Sequence, residues 1–154
     1  MTWRGLRSWF GNLFGGRRQP RYPGDFTGTS RAVYAPRRDD RADPGEVVWA
    51  WVPFEEDHSR GKDRPVLVVG RDDAWLLALM LTSHDRTRAP AAARRTTWVG
   101  IGSGEWDPQR RPSFVRADRV LRIAPSQVRR TGAQLDRARF DQVARALREC
   151  RGWH

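Results

Sequence analysis

The chain has 154 residues, 38% of them hydrophobic, with 29 basic against 18 acidic side chains and a net charge of +11. That length allows one domain with or without a tail. The single cysteine, Cys150, excludes an internal disulfide, and with three scattered histidines it excludes a zinc cluster, so a reducing cytoplasm fits.

No apolar run is long enough to span a bilayer, and the first residues lack the continuous apolar core of a secretory signal. Lys62 is the only lysine, so the positive charge is carried by arginine. A planar guanidinium grips phosphate in a fork and stacks on bases, which suits a nucleic-acid partner. A GC-rich coding bias accounts for the same excess equally well.

Residues 1–43 read as a basic, aromatic arm. Trp3, Leu6, Trp9, Phe10, Leu13 and Phe14 recur at helical spacing, but Gly5, Gly11, Gly15 and Gly16 weaken a helix there. Three readings stay open for this segment. It docks on the body or a second copy, it touches a membrane surface through residues 1–16, or it is disordered.

The body, 44–154, begins at the turn Asp43-Pro44-Gly45. Residues 46–52 are β-branched and Trp-rich and read as a strand that Pro53 stops. A polar loop fills 54–63. A short buried strand covers 65–69, Arg71-Asp72-Asp73 turns, and 75–81 forms a third strand. Strands this close in sequence favour an antiparallel meander. A polar loop at 83–95 leads to a strand at 96–101. A long turn holding Trp106 leads to 113–123, one strand or two with a bend.

After Pro125 the pattern turns helical. Asp136 can cap, Leu135 and Phe140 stand at the two positions of a hydrophobic staple, and Gly152 ends the helix. Phe140, Val143, Ala144, Leu147 and Cys150 make one apolar stripe, which casts Cys150 as a small buried hydrophobe. Five or six strands and one closing helix make a mainly β chain with a C-terminal helix (α+β), a small bent antiparallel sheet or barrel.

Several polar side chains stand at strand edges. Arg64 precedes a proline at a strand start, so its backbone is extended and its guanidinium can hold a phosphate. It can equally pair with Asp63 or a loop carboxylate. Thr82 ends an apolar strand, where its hydroxyl can donate to a phosphoryl oxygen or bond to backbone. Arg116 and Asp118 lie two apart on a predicted strand and share a face. They can flank a phosphate as acid and base, or form a plain ion pair. His58 is either a proton-moving group or a solvated loop residue. Ser83, Arg86, Arg60 and Lys62 are candidate RNA contacts, and Trp49, Trp51, Trp75, Trp98 and Trp106 are candidate stacking surfaces. No cluster of metal ligands and no Walker-type glycine loop is present, and no cofactor is expected.

Arg64-Pro65-Val66, Leu81-Thr82-Ser83-His84 and Val115-Arg116-Ala117-Asp118, in that order, resemble the MazF/PemK/Kid family of toxin endoribonucleases. The resemblance runs from about Pro44 to the C-terminus. It implies an SH3-like barrel, a homodimer, a cognate antitoxin with an acidic disordered tail, and metal-independent cleavage of single-stranded RNA to a 2′,3′-cyclic phosphate. It also implies that Arg64 and Thr82 face the phosphate, that Arg116 acts as acid and Asp118 as base, and that His58 falls on an active-site histidine. One loop departs from the family pattern. Glu55-Glu56-Asp57 places three carboxylates beside the site. They repel phosphate and can bind basic residues of the same chain when RNA is absent. A non-catalytic nucleic-acid or protein-binding module of the same fold, gyrase-poison-like or a degenerate toxin, is the alternative.

Overall fold

Strands that are apolar on both faces and a capped helix produce a strongly curled antiparallel sheet, a half-barrel, closed on one side by a C-terminal helix. In this computed structural model, residues 21–85 and 97–154 are described, the side chains of 130–132 excepted. The strands are β1 (Glu46–Pro53), β2 (Gly61–Asp72), β3 (Trp75–Thr82), β4 (Trp98–Gly102), β5 (Ser113–Arg116), β6 (Leu121–Ile123) and β7 (Val128–Gln134), followed by helix α1 (Arg137–Arg151). The three readings of the 3–14 aromatic segment, and most of the 83–95 loop, lie outside the described residues.

Strand order is β4-β5-β3-β2-β1-β7, with β6 also pairing β3. One strand, β3, serves two partners. Its end pairs with β5 through Leu81↔Val115 and Thr82↔Phe114, and its start pairs with β6 through Leu76↔Ile123. The predicted 113–123 strand is therefore two strands, and 117–120 bridges them.

Two elements differ from expectation. β2 is longer than the predicted 65–69, because its polar start at Gly61 pairs with Pro53 across the hairpin. β7 lies where helix was expected after Pro125. A single 3-10 turn at Pro125–Gln127 precedes it, and Val128–Gln134 then pairs antiparallel with β1. Its sequence, VRRTGAQ, has no apolar alternation, so the backbone ladder to β1 carries this strand.

The curl separates two apolar clusters. Val48, Ala50, Val52, Val66, Val68, Leu76, Ala78, Leu121 and Ile123 line the inner face. Val47, Leu67, Leu79, Leu81 and Val115 on the other face pack with Phe140, Val143 and Leu147 of α1. The helix is seated as its ends dictate. The Asp136 carboxylate accepts from the Arg139 N–H at 2.8 Å, Leu135 and Phe140 are both buried, and Gly152 takes φ 69°.

Cys150 corrects the expectation for the apolar stripe. It is exposed in the last turn, its Sγ 3.6 Å from the Ala117 carbonyl. Trp153 follows the glycine and folds back into the core in its place, edge-on to Phe26 with centroids 6.1 Å apart. Phe26 itself bridges Val120, and the Val33 N–H donates to the Val69 carbonyl. These bonds lay residues 21–36 along the sheet.

Candidate functional site

Strand register decides which of the candidate residues share a face. β2 and β3 pair as Val66↔Met80, Leu67↔Leu79 and Val68↔Ala78. The ladder ends at the Val66↔Met80 pair; two residues beyond it, Arg64 keeps the face of Val66 and Thr82 the face of Met80. Thr82 faces Phe114 on its other side. On β5, Arg116 pairs with Trp98 of β4, and the Leu81↔Val115 register sets it opposite Met80. Val66 and Ala78 belong to the inner cluster, whereas Leu81 and Val115 belong to the outer one. Side chains alternate along strands, so Arg64, Thr82, Phe114, Arg116 and Trp98 all project on the inner side, at one end of the curl.

Thr82 is buried, and its Oγ1 accepts from the His84 N–H at 3.2 Å. The backbone bond expected of a strand-end threonine is therefore made with the oxygen as acceptor, which leaves the O–H able to donate. Asp63, next to Arg64 in sequence, accepts from Arg129 at 2.6 Å.

Arg116 is the last residue of β5, and Asp118 lies in the bend after it rather than on the strand as expected, with Ala117 between them buried in the outer cluster; side-chain bonds, not strand alternation, bring Asp118 to Arg116. Arg116 donates from Nε to Asp118 Oδ1 at 2.9 Å and from NH2 to Oδ2 at 3.2 Å. From NH1 and NH2 it also donates to Glu55 Oε1 and Oε2, at 3.0 and 3.3 Å. Burial pushes the guanidinium pKa down, but the hydrogen bonds and charges of Asp118 and Glu55 outweigh it and raise the value. The expectation that loop carboxylates bind basic residues of the same chain is met by this contact with Glu55.

A second ion pair stands beside the first. Arg119 is buried and donates to both oxygens of Asp25, at 2.8 and 3.3 Å, and to the Pro53 carbonyl at 2.9 Å. The Tyr22 hydroxyl donates to Asp25 at 2.6 Å. Burial pushes Asp25 up, yet Arg119 and Tyr22 hold it below the usual carboxylate range. The same Asp25 raises the Tyr22 hydroxyl, after burial as the larger cause. His58 faces this group. Its ring meets Tyr22 edge-on at 5.0 Å and its Nε2 lies 4.0 Å from Asp25.

Arg60 and Lys62 are exposed on the β1–β2 hairpin, and Ser83 is half-buried just past β3. Arg86 lies outside the described residues. Among the tryptophans, Trp98 shares the face of Arg116. Trp106 is buried, with Nε1 donating to Ser113 Oγ at 2.9 Å, and Trp49 donates to the Trp106 carbonyl at 3.0 Å. Phe114 was missed by sequence reasoning, although its place two residues before Arg116 in a predicted strand marks it for the same face. Its ring lies against Gly100, where an added Cβ would stand 3.5 Å from it. Asp25 and Arg119 carried no sequence signal, being 94 residues apart. Among the described residues no group of three potential metal ligands converges.

The site thus gathers two guanidinium groups, one of them engaged by Asp118 and Glu55, with a hydroxyl, a carboxylate and two aromatic rings. Such a set binds a phosphodiester and its bases. A model of the family described as PemK-like, MazF-like toxin of type II toxin-antitoxin system matches residues 43–150. No curated protein matches the chain. Among solved structures, an endoribonuclease in complex with its cognate antitoxin, from a Mycobacterial species, is 19% identical with a TM-score of 0.52, covering 71% of this chain and 93% of its own. An endoribonuclease from a Mycobacterial species is 18% identical with a TM-score of 0.50, covering 74% of this chain and 95% of its own. At these identities the likeness is one of fold.

Proposed function

The chain belongs to the PemK-like, MazF-like toxin family of type II toxin-antitoxin systems, and from that premise we propose that it is an endoribonuclease cutting single-stranded RNA without a metal ion. The observation that carries this reading is the shared inner face of Arg64, Thr82 and Arg116, with Asp118 bonded to Arg116. RNA brings its own nucleophile. The 2′-oxygen attacks the adjacent phosphorus, the bond from phosphorus to the 5′-oxygen breaks, and a 2′,3′-cyclic phosphate remains. The protein needs to take up the 2′-proton, return one to the 5′-oxygen, and neutralise charge on the non-bridging oxygens.

Arg64, Arg116 and the Thr82 O–H are assigned to those oxygens. Arg116 holds charge rather than giving up a proton, because its carboxylate partners stabilise the protonated form. Asp118 is assigned as base; a carboxylate has about four lone-pair sites, and the Arg116 fork takes two. His58 is assigned as acid to the 5′-oxygen. Trp98 and Phe114 are assigned as stacking surfaces for the flanking bases, which favours a single strand over a duplex that hides its base edges. Ser83, Arg86, Arg60 and Lys62 are assigned to backbone phosphates. The body at 44–154 is the catalytic unit in this reading, working as a homodimer in the cytoplasm and neutralised by an antitoxin.

A non-catalytic binding module is the second reading, and the engagement of Arg116 by Glu55 favours it. Incubation with long single-stranded RNA in EDTA separates the two. The first reading requires fragments from the native protein and none from a folded Arg64→Ala variant. Binding without cutting establishes the second.

A further inference from the structure

The two edges of the Arg116 guanidinium are held by carboxylates of unequal standing. Asp118 is its near neighbour in sequence, 28% exposed, and takes Nε and one NH2 hydrogen. Glu55 comes from the β1–β2 loop, is 55% exposed, and takes NH1 and NH2. The Arg116 side chain itself is only 17% exposed. Four hydrogen bonds therefore consume most of the five N–H groups, and the outward edge belongs to Glu55. A carboxylate and a phosphodiester present two oxygens to such a fork in the same way. Two anions cannot share it, since like charges at contact distance repel.

Building on the endoribonuclease reading, we propose that the NH1/NH2 edge of Arg116 is a phosphodiester seat, and that Glu55 fills it in the RNA-free protein as an internal anion that an RNA phosphate displaces. Glu55 is the partner that yields, because it is the more exposed and an exposed ion pair is weak. Its backbone need not move. The Phe54 N–H donates to the Arg60 carbonyl, the Arg60 N–H to Asp57, and Arg119 holds the Pro53 carbonyl, so the loop is closed on itself and anchored at its base. Rotation of one side chain opens the seat. Asp118 stays and keeps the guanidinium aimed. The three-carboxylate loop is then no barrier across the RNA path. It is a competitor that only a phosphate placed to reach Arg116 bidentately can remove.

The test separates this claim from the cleavage reading by using a ligand that cannot be cut. A labelled single-stranded 2′-fluoro oligonucleotide of mixed sequence lacks the attacking hydroxyl. Its affinity for the full chain is measured by fluorescence anisotropy at fixed salt. Glu55→Gln is expected to tighten binding up to about fivefold, the size of a weak ion pair removed from competition. Glu56→Gln removes the same charge one residue away and is the control; it is expected to change affinity by less than half as much. In an Arg116→Ala background, Glu55→Gln is expected to give no gain. Equal tightening by the two Gln variants means that bulk charge alone acts and overturns the proposal. So does no change, weaker binding, or no binding by any form. The comparison of Glu55→Gln with Glu56→Gln decides the matter even where Arg116→Ala fails to fold. Should the expected pattern appear while unmodified RNA stays intact, the phosphate seat stands and the nuclease reading falls.

Discussion

Replacing Asp25 by alanine removes the partner of a buried guanidinium. The Arg119 side chain is only 4% exposed, and Asp25 meets it with both oxygens while accepting a third bond from Tyr22. Breaking a buried pair from one side costs about 3–5 kcal/mol, because the remaining charge is stranded. Asp25 is 24% exposed, and Arg119 keeps the Pro53 carbonyl, so the lower end applies, about 3 kcal/mol. In a chain of this length that lowers the melting temperature by about 6–12 °C. Asp25→Asn keeps an acceptor and is expected to lose less.

Stability should also depend on pH through this residue. The folded-state pKa of Asp25 is depressed, so its stabilisation is fully present above the unfolded carboxylate value. It is lost as pH falls through the lower folded value, and Asp25→Asn should flatten that acid limb. Thermal melts of native, Asn and Ala forms across acid and neutral pH read both effects. A melting temperature for Asp25→Ala within about 2 °C of native, with the same acid limb, refutes the claim that the Arg119–Asp25 pair anchors residues 21–26 and the loop base.

Thr82→Val keeps the buried shape and removes the O–H. Cleavage should fall about a hundredfold or more, the usual loss for one oxyanion donor, with Thr82→Ser retaining most of it. Asp136→Ala removes the bond to the Arg139 N–H and should cost about 1 kcal/mol in a denaturant titration, without changing cleavage. Phe114→Ala should alter which RNA words are cut, read by sequencing fragment ends, while leaving phosphate binding in place. Gly61→Ala should destabilise the β1–β2 hairpin, since its Cβ would stand 2.2 Å from the Val52 carbonyl oxygen; hydrogen exchange over 54–62 reads that loosening.

The elements that announced themselves were those whose information is local. β1 is apolar and β-branched, β3 is a continuous apolar run bounded by turn residues, and α1 has its cap, staple and terminal glycine within or next to its own residues. β7 was hidden because its residues show no apolar alternation and it pairs along the edge of β1. The start of β2 was hidden for the same reason, a polar stretch paired by the hairpin. Cys150 followed the helical period, but the period does not say where the sheet beneath the helix ends. At the site, Arg64, Thr82, Arg116 and Asp118 were legible as residue types at strand edges. Their common face depends on register, which two-residue alternation fixes only once the pairing is known. The acidic loop was legible as a charge pattern, but not its grip on Arg116, which spans 61 residues. Asp25 and Arg119 gave no pattern at all.

The claim at the centre is that the ribose itself attacks on the face of Arg64, Thr82 and Arg116. An oligonucleotide cut by the full chain in EDTA is resynthesised with one 2′-deoxy sugar on the 5′ side of the mapped scissile phosphate. The account predicts that this oligonucleotide stays whole while the all-ribose form yields a 2′,3′-cyclic end. Continued cutting at the deoxy position contradicts it, since water would then have to be the nucleophile.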